Sequence, residues 1–281
     1  MTVSIVHTNG PVYSCVTNEK GIYALRYVST GQHIITSQKP GYMDAKLVVN
    51  VTASSGVNCG NIWGADLCLF ELNELGMYGG GSGTEADPYL LSLPIHLREL
   101  SLCTDDYDKH FLVTADIDMT GFTFDKALLG SNITNGSFSG VFDGNNHTIR
   151  NLTVDTNGVG TDYLGFFGMI APAGRVRNLI LDNVTIRGAV DSYYLGGICG
   201  MNKGTISRCG VMGTVYGGPT YATCIGGLVG YNEDFAVVEY SFADANVSAE
   251  QQVGGLVGFN DTAAIIQHCY VSGHVISFND P

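Results

Sequence analysis

Charge is scarce in this 281-residue chain: Asp, Glu, Lys and Arg supply 14% of it, against about 25% in an average globular domain. With hydrophobic residues at 45%, that scarcity excludes intrinsic disorder as the main state. Positive charge is scarcest, since 13 Lys and Arg face 26 Asp and Glu and leave a formal net charge of −13. Binding a phosphate backbone needs the opposite excess, so nucleic acid is excluded as a partner. Long apolar runs are also missing. No stretch approaches about 18 consecutive apolar residues, and residues 1–30 lack the basic start and apolar run of a secretion signal. Neither a membrane span nor an export signal is therefore visible in this chain. Proline is limited to 7 residues.

Several catalytic and metal signatures are missing too. No C-x-x-C pair occurs among Cys15, Cys59, Cys68, Cys103, Cys199, Cys209, Cys224 and Cys269, which argues against a zinc site and for buried apolar thiols. Cys59 and Cys68 are the pair best suited to a disulfide. The histidines, His7, His33, His96, His110, His147, His268 and His274, form no H-E-x-x-H and no i, i+4 pair, so metallopeptidase chemistry lacks support. G-x-S-x-G is absent as well, which leaves a nucleophile-elbow hydrolase unsupported. No cofactor or metal is expected.

What the chain has is glycine, 38 residues of it, arranged in repeats. Leu164-Gly165-Phe166-Phe167-Gly168, Leu195-Gly196-Gly197-Ile198-Cys199-Gly200, Ile225-Gly226-Gly227-Leu228-Val229-Gly230 and Val253-Gly254-Gly255-Leu256-Val257-Gly258 align. Their closing glycines, Gly168, Gly200, Gly230 and Gly258, set a period of about thirty residues. A second strand-like run follows each block, at 176–181, 206–211, 238–243 and 266–271, and Ile149 to Val154 reads as an earlier copy. These runs are short, β-branched and bounded by Gly and Asn, which leaves no room for a helix in each unit. Helical arrays, leucine-rich repeats and propeller blades are thereby excluded.

A unit of short strands and glycine turns cannot bury an apolar face alone, but stacking coil on coil makes one core. The expected fold is all-β: a right-handed parallel β-helix over residues 79–281, with a short helix near 94–103 covering one end. Asn202, Asn232 and Asn260 each sit two places after a closing glycine. Stacked at strand spacing, their amides would form a hydrogen-bonded ladder. Cys209, Ser241 and Cys269 share another position, which calls for a small inward residue.

The blocks at Gly197 to Gly200, Gly227 to Gly230 and Gly255 to Gly258 resemble the GLUG motif of bacterial and archaeal surface proteins. Gly81 to Leu90 is similar to the lead-in segment of such β-helices, and Phe111 to Met119 followed by Phe138 to Ile149 is similar to their first coils. The first unit departs from the pattern, with Phe166-Phe167 and one glycine fewer. The resemblance implies an extracellular or cell-surface, adhesin-like protein without established chemistry. Residues 1–78 differ in kind. Thr17 to Leu25, Val28 to Thr36 and Lys39 to Tyr42 resemble a carboxypeptidase regulatory-like β-sandwich whose opening strand is missing, and Val275 to Pro281 stops without a visible cap, so the natural polypeptide is expected to be longer at both ends.

Parallel β-helices also carry polysaccharide lyases and glycoside hydrolases, whose sites need converging carboxylates. Asp116 and Asp118 read as a solvent-facing pair, Asp143-Gly144-Asn145 as a turn, and Asp182, Asp191, Asp244 and Asp261 form no recurring column. No catalytic residue is therefore nominated. Tyr193, Tyr194, Tyr216, Tyr221, Tyr231 and Phe259 cluster near coil corners, where they either stack on sugars or pack over turns. Asn-x-Ser/Thr sequons, at Asn50, Asn151, Asn183 and Asn246 among others, follow from a Thr- and Asn-rich composition. The expectation is a non-enzymatic surface module that binds carbohydrate or another surface protein; the alternative is a polysaccharide-active β-helix.

Overall fold

A computed structural model describes the backbone of four N-terminal strands and, in full, residues 78–131 and 136–278. The chain divides into two compact units, Met1–Gly76 and Met77–Pro281. In the first unit, Thr2–Val6 lies between Tyr13–Val16 and Gly31–Gln38, and Ala45–Val51 flanks the latter, all antiparallel. This is one four-stranded sheet. The second layer of the expected sandwich, the segments 17–25 and 39–42, and the Cys59–Cys68 pair lie outside the described residues.

The second unit is a parallel β-helix, and its crossovers between parallel strands follow the right-handed rule. Each complete coil visits four faces in turn. In the central coil these are Thr205–Ser207 on face 1, Gly210–Tyr216 on face 2, Thr223–Gly226 on face 3 and Val229–Asn232 on face 4. Every one of these strands pairs in parallel with its counterparts in the coils before and after.

Register places like on like. Phe111, Phe142, Val176, Ile206, Val238 and Ile266 form one inward column on face 1. Ile117, Ile149, Leu181, Val211, Ala243 and Val271 form the facing column on face 2. Because strand side chains alternate, the shorter strands contribute one or two residues inward and the long face 2 strands up to four, as Ala243, Ala245, Val247 and Ala249 do in Phe242–Ala249, and the columns close a single core. Pro94–Leu102 forms the expected helix, with proline in its first turn where the missing N–H costs nothing. Leu97 and Leu100 are fully buried, within one cluster that also holds Tyr78, Leu91 and Phe111.

The runs expected as single strands at 176–181, 206–211, 238–243 and 266–271 are bent in two. At the bend Asn178, Arg208, Tyr240 and His268 take the left-handed conformation, with φ of 52°, 52°, 50° and 53°. They turn the chain from face 1 to face 2. Only asparagine adopts this region readily, so the corner is imposed by the pairing on either side.

The repeated glycines answer three different steric demands. A Cβ on Gly196, Gly226 or Gly254 would collide with the carbonyl oxygen of the residue three places on, Cys199, Val229 or Val257. On Gly197 or Gly255 it would lie 2.5 or 2.6 Å from the methyls of Val211 or Val271 on the facing wall, and on Gly227 2.9 Å from Ala243 Cβ. On Gly200, Gly230 or Gly258 it would strike the backbone of face 3, so faces 3 and 4 lie back to back with no side chain between them. We expect Gly230→Ala to destabilise the chain by about 2–3 kcal/mol, the upper range for overpacking. Gly158→Ala, where φ is +84° but the space is open, should cost only about 1–2 kcal/mol. Urea midpoints of the two variants would rank them.

Candidate functional site

The amides of Asn202, Asn232 and Asn260 stack at the end of face 4. Asn202 Nδ2 donates to Asn232 Oδ1 at 2.9 Å, and Asn232 Nδ2 donates to Asn260 Oδ1 at 2.8 Å. Gly204 N donates to Asn202 Oδ1 at 3.0 Å, which ties the ladder to the turn that follows. Asn202 and Asn232 are fully buried. A shorter ladder that the sequence reading missed runs along face 2, where Asn183 Nδ2 donates to Asn151 Oδ1 at 2.7 Å. Both residues are left-handed, and the signal was available as Asn in the matching runs at 151 and 183.

The aromatic residues nominated from sequence separate into groups. Tyr194, Tyr231 and Phe259 join Tyr163 in one chain of contacts beside faces 3 and 4. Tyr163 stacks on Tyr194 at 5.2 Å, Tyr194 meets Tyr231 edge to face at 5.5 Å, and Tyr231 lies parallel to Phe259 at 5.3 Å. Tyr193 contacts Tyr194 at 6.3 Å. Tyr216 stands apart on face 2, under the Arg187 guanidinium and 6.1 Å from Phe278. Tyr221 is an exposed, left-handed turn residue whose N–H donates to the Glu250 carboxylate. Two further stacks were not foreseen: Tyr240 on His268 at 4.7 Å, with Arg208 over Tyr240, and Phe242 on Tyr270 at 5.1 Å. Each ring stacked in this way spends one face on its neighbour.

The carboxylates considered for chemistry are likewise engaged between coils. Asp116 accepts from Arg150 at 3.0 Å and from Thr148 N at 3.0 Å, with His147 at 3.3 Å. Asp118 accepts from the Thr120 hydroxyl at 2.7 Å and Asn151 Nδ2 at 2.8 Å, and these bonds with the Thr120 N–H pull its pKa down to about 2. Asp143 accepts from Asn145 N at 2.8 Å, the Asx turn its composition implied, and from Arg177 at 2.8 Å. The Tyr231 hydroxyl donates to Asp261 at 2.6 Å, which raises the phenol and lowers the acid. Among the described residues, no group of three or more His, Cys, Asp or Glu could hold a metal. Cys103, Cys199, Cys209, Cys224 and Cys269 are free thiols. Burial pushes Cys209 up to about 12, so it is an inert core residue.

One concavity has a different character. A groove of about 410 Å³ on the outer side of face 1 is lined by Glu85, Asp108, His110, Ser139, Val141, Arg175 and Arg177, among others. No sequence pattern flagged it, because it assembles four separate stretches of chain.

Two copies of the family model described as the GLUG motif match residues 221–248 and 249–276. The chain is similar to halomucin of Haloquadratum walsbyi, 35% identical over 164 residues, covering 56% of this chain and 2% of halomucin. It is also similar to a protein provisionally named a Gly-rich membrane protein of Evansella cellulosilytica, 32% identical over 143 residues, or 48% of this chain and 16% of that one. The chain thus spans a small part of these relatives. A crystal structure from Bacteroides ovatus, provisionally titled an immunoglobulin A1 protease, aligns with a TM-score of 0.49 and 20% identity over 71% of this chain and 70% of that one. Likeness at that level carries no inference about activity.

Asn232→Ala should cost about 2–3 kcal/mol, because it strands buried groups of Asn202 and opens the ladder on both sides. Asn260→Ala, at the exposed end, should cost less, and paired thermal melts would compare them. The depressed pKa of Asp118 means its stabilising bonds are fully present above pH 4 and are lost as pH falls toward 2. Asp118→Asn should therefore flatten the acid limb of the stability–pH profile over that window, as measured by urea unfolding at pH 2 to 5.

Proposed function

We propose that this chain is a non-enzymatic, surface-associated structural module, a β-helical segment of a longer extracellular polypeptide that spaces or displays and meets glycans or another surface macromolecule along its faces. The resemblance of 17–25, 28–36 and 39–42 supports a small β-sandwich of the carboxypeptidase regulatory-like type ahead of it in the chain. The observation that carries the reading is the fate of the carboxylates: Asp116, Asp118 and Asp143 are each spent on a side chain of the next coil. A hydrolase would need two such groups free to flank one glycosidic bond, about 5–9.5 Å apart. Similarity to halomucin and to a named membrane protein, each far longer than the matched segment, supports a surface setting within a larger chain. Among the described residues no helix is long and apolar enough to cross a membrane.

The decisive experiment incubates the purified chain with a panel of soluble and insoluble polysaccharides, with and without calcium. Retention and newly formed reducing or unsaturated ends are both followed. No release above a heat-denatured control is expected. Release would overturn the structural reading in favour of a polysaccharide-active β-helix.

A further inference from the structure

The groove on face 1 holds polar groups that the fold does not use. Of the arginines among the described residues, Arg98, Arg150, Arg177 and Arg187 reach carboxylates and Arg208 lies over an aromatic ring. Arg175 has neither partner. It projects from the strand Arg175–Arg177, in register with Val141 of the preceding coil, which is in turn in register with His110. A histidine, an aliphatic floor and a free guanidinium therefore succeed one another across three coils. Glu85 from the lead-in turn and Ser139 make no side-chain hydrogen bond with a described residue. Asp108, at the same rim, pairs only with the neighbouring Lys109 at 2.9 Å.

This inventory selects a ligand chemistry. A guanidinium that forms no ion pair with a described carboxylate, in a chain of net charge −13, is open to bidentate contact with a ligand carboxylate. A simple anion would be repelled by Glu85 and Asp108. A ligand carrying one carboxylate and several hydroxyls satisfies both, because hydroxyls donate to the two acids while its own acid sits on Arg175. The volume falls within the usual range of about 300–1,000 Å³ for small-molecule sites. Beyond the groove the same columns continue as Thr205 beside Arg175 and Ser207 beside Arg177. Hydroxyls at strand spacing then extend the track for a polymer.

We propose that the face 1 groove binds a hexuronate residue of an acidic polysaccharide, its carboxylate on Arg175, its ring over Val141 and its hydroxyls toward Glu85, Asp108 and Ser139. This deepens the surface-module reading and rests on it for the sugar chemistry, yet a chain that holds no uronate remains a spacer. The test uses the full chain and calorimetric titration with a galacturonate oligomer, its methyl-esterified counterpart and a zwitterionic dipeptide. The acid oligomer should bind, the ester should bind at least tenfold more weakly, and added salt should weaken the acid form. Arg175→Gln should lose tenfold or more and Arg175→Lys less, while Arg187→Gln, at the far end of the face 2 strand Ile180–Arg187, should leave binding unchanged. Circular dichroism of each variant confirms the fold. Absence of acid-oligomer binding, equal binding by Arg175→Gln, or preference for the ester or the dipeptide would each overturn the assignment.

Discussion

Parallel register between successive coils is the constraint on which the rest of the structure depends. No coil has a core of its own. Ile206 and Val238 are fully buried between neighbouring coils, whereas Ile266, in the same column of the last described coil, is 39% exposed. Identical chemistry at an identical place is buried only when something stacks upon it, so stability is supplied by interfaces between coils. A slip of one residue would turn each inward column outward. The asparagine ladder opposes such a slip, because its buried amides find partners only when Asn202, Asn232 and Asn260 are level.

From that constraint follows the steric character of the repeat. A wall whose faces are three to eight residues wide must turn four times in each coil, and two of its faces press together without intervening side chains. Gly200, Gly230 and Gly258 are where the backbone of one face meets that of the other. The motif is thus a record of close approach, and it says nothing about ligands. The first unit keeps Gly165 but has one glycine fewer; Phe167, in register with Cys199, and Phe166 fill the core there in an aromatic cluster with Phe138 and Phe142, packing at 4.9–5.6 Å.

This explains what was legible beforehand. Glycine spacing and the shared offset of the three asparagines recur in the last three units, so architecture and ladder could be read from spacing alone. The corners at Arg208, Tyr240 and His268 could not, since none of these residues favours a left-handed backbone and each is bent by the pairing around it. The split of each presumed strand into two was hidden for the same reason. The groove was invisible because residues 85, 108–110, 139–141 and 173–177 share no motif and meet only when coils stack.

The same stacking decides which surface residues remain free to bind. Sequence reasoning favours exposed aromatics as sugar platforms, but a sugar ring needs an open aromatic face. In a parallel β-helix, residues at matched positions lie a strand spacing apart, close to the contact distance of stacked rings. Tyr231 and Phe259, within 3° of parallel, therefore cover one face of each other. Charge behaves likewise wherever opposite signs fall in one column, as with Asp143 beneath Arg177. Arg175 escapes because the residues in register with it, Val141 and Thr205, carry no charge. On such a scaffold a binding group is left over where the column fails to repeat its partner, so departures from the repeat are the places at which recognition can reside.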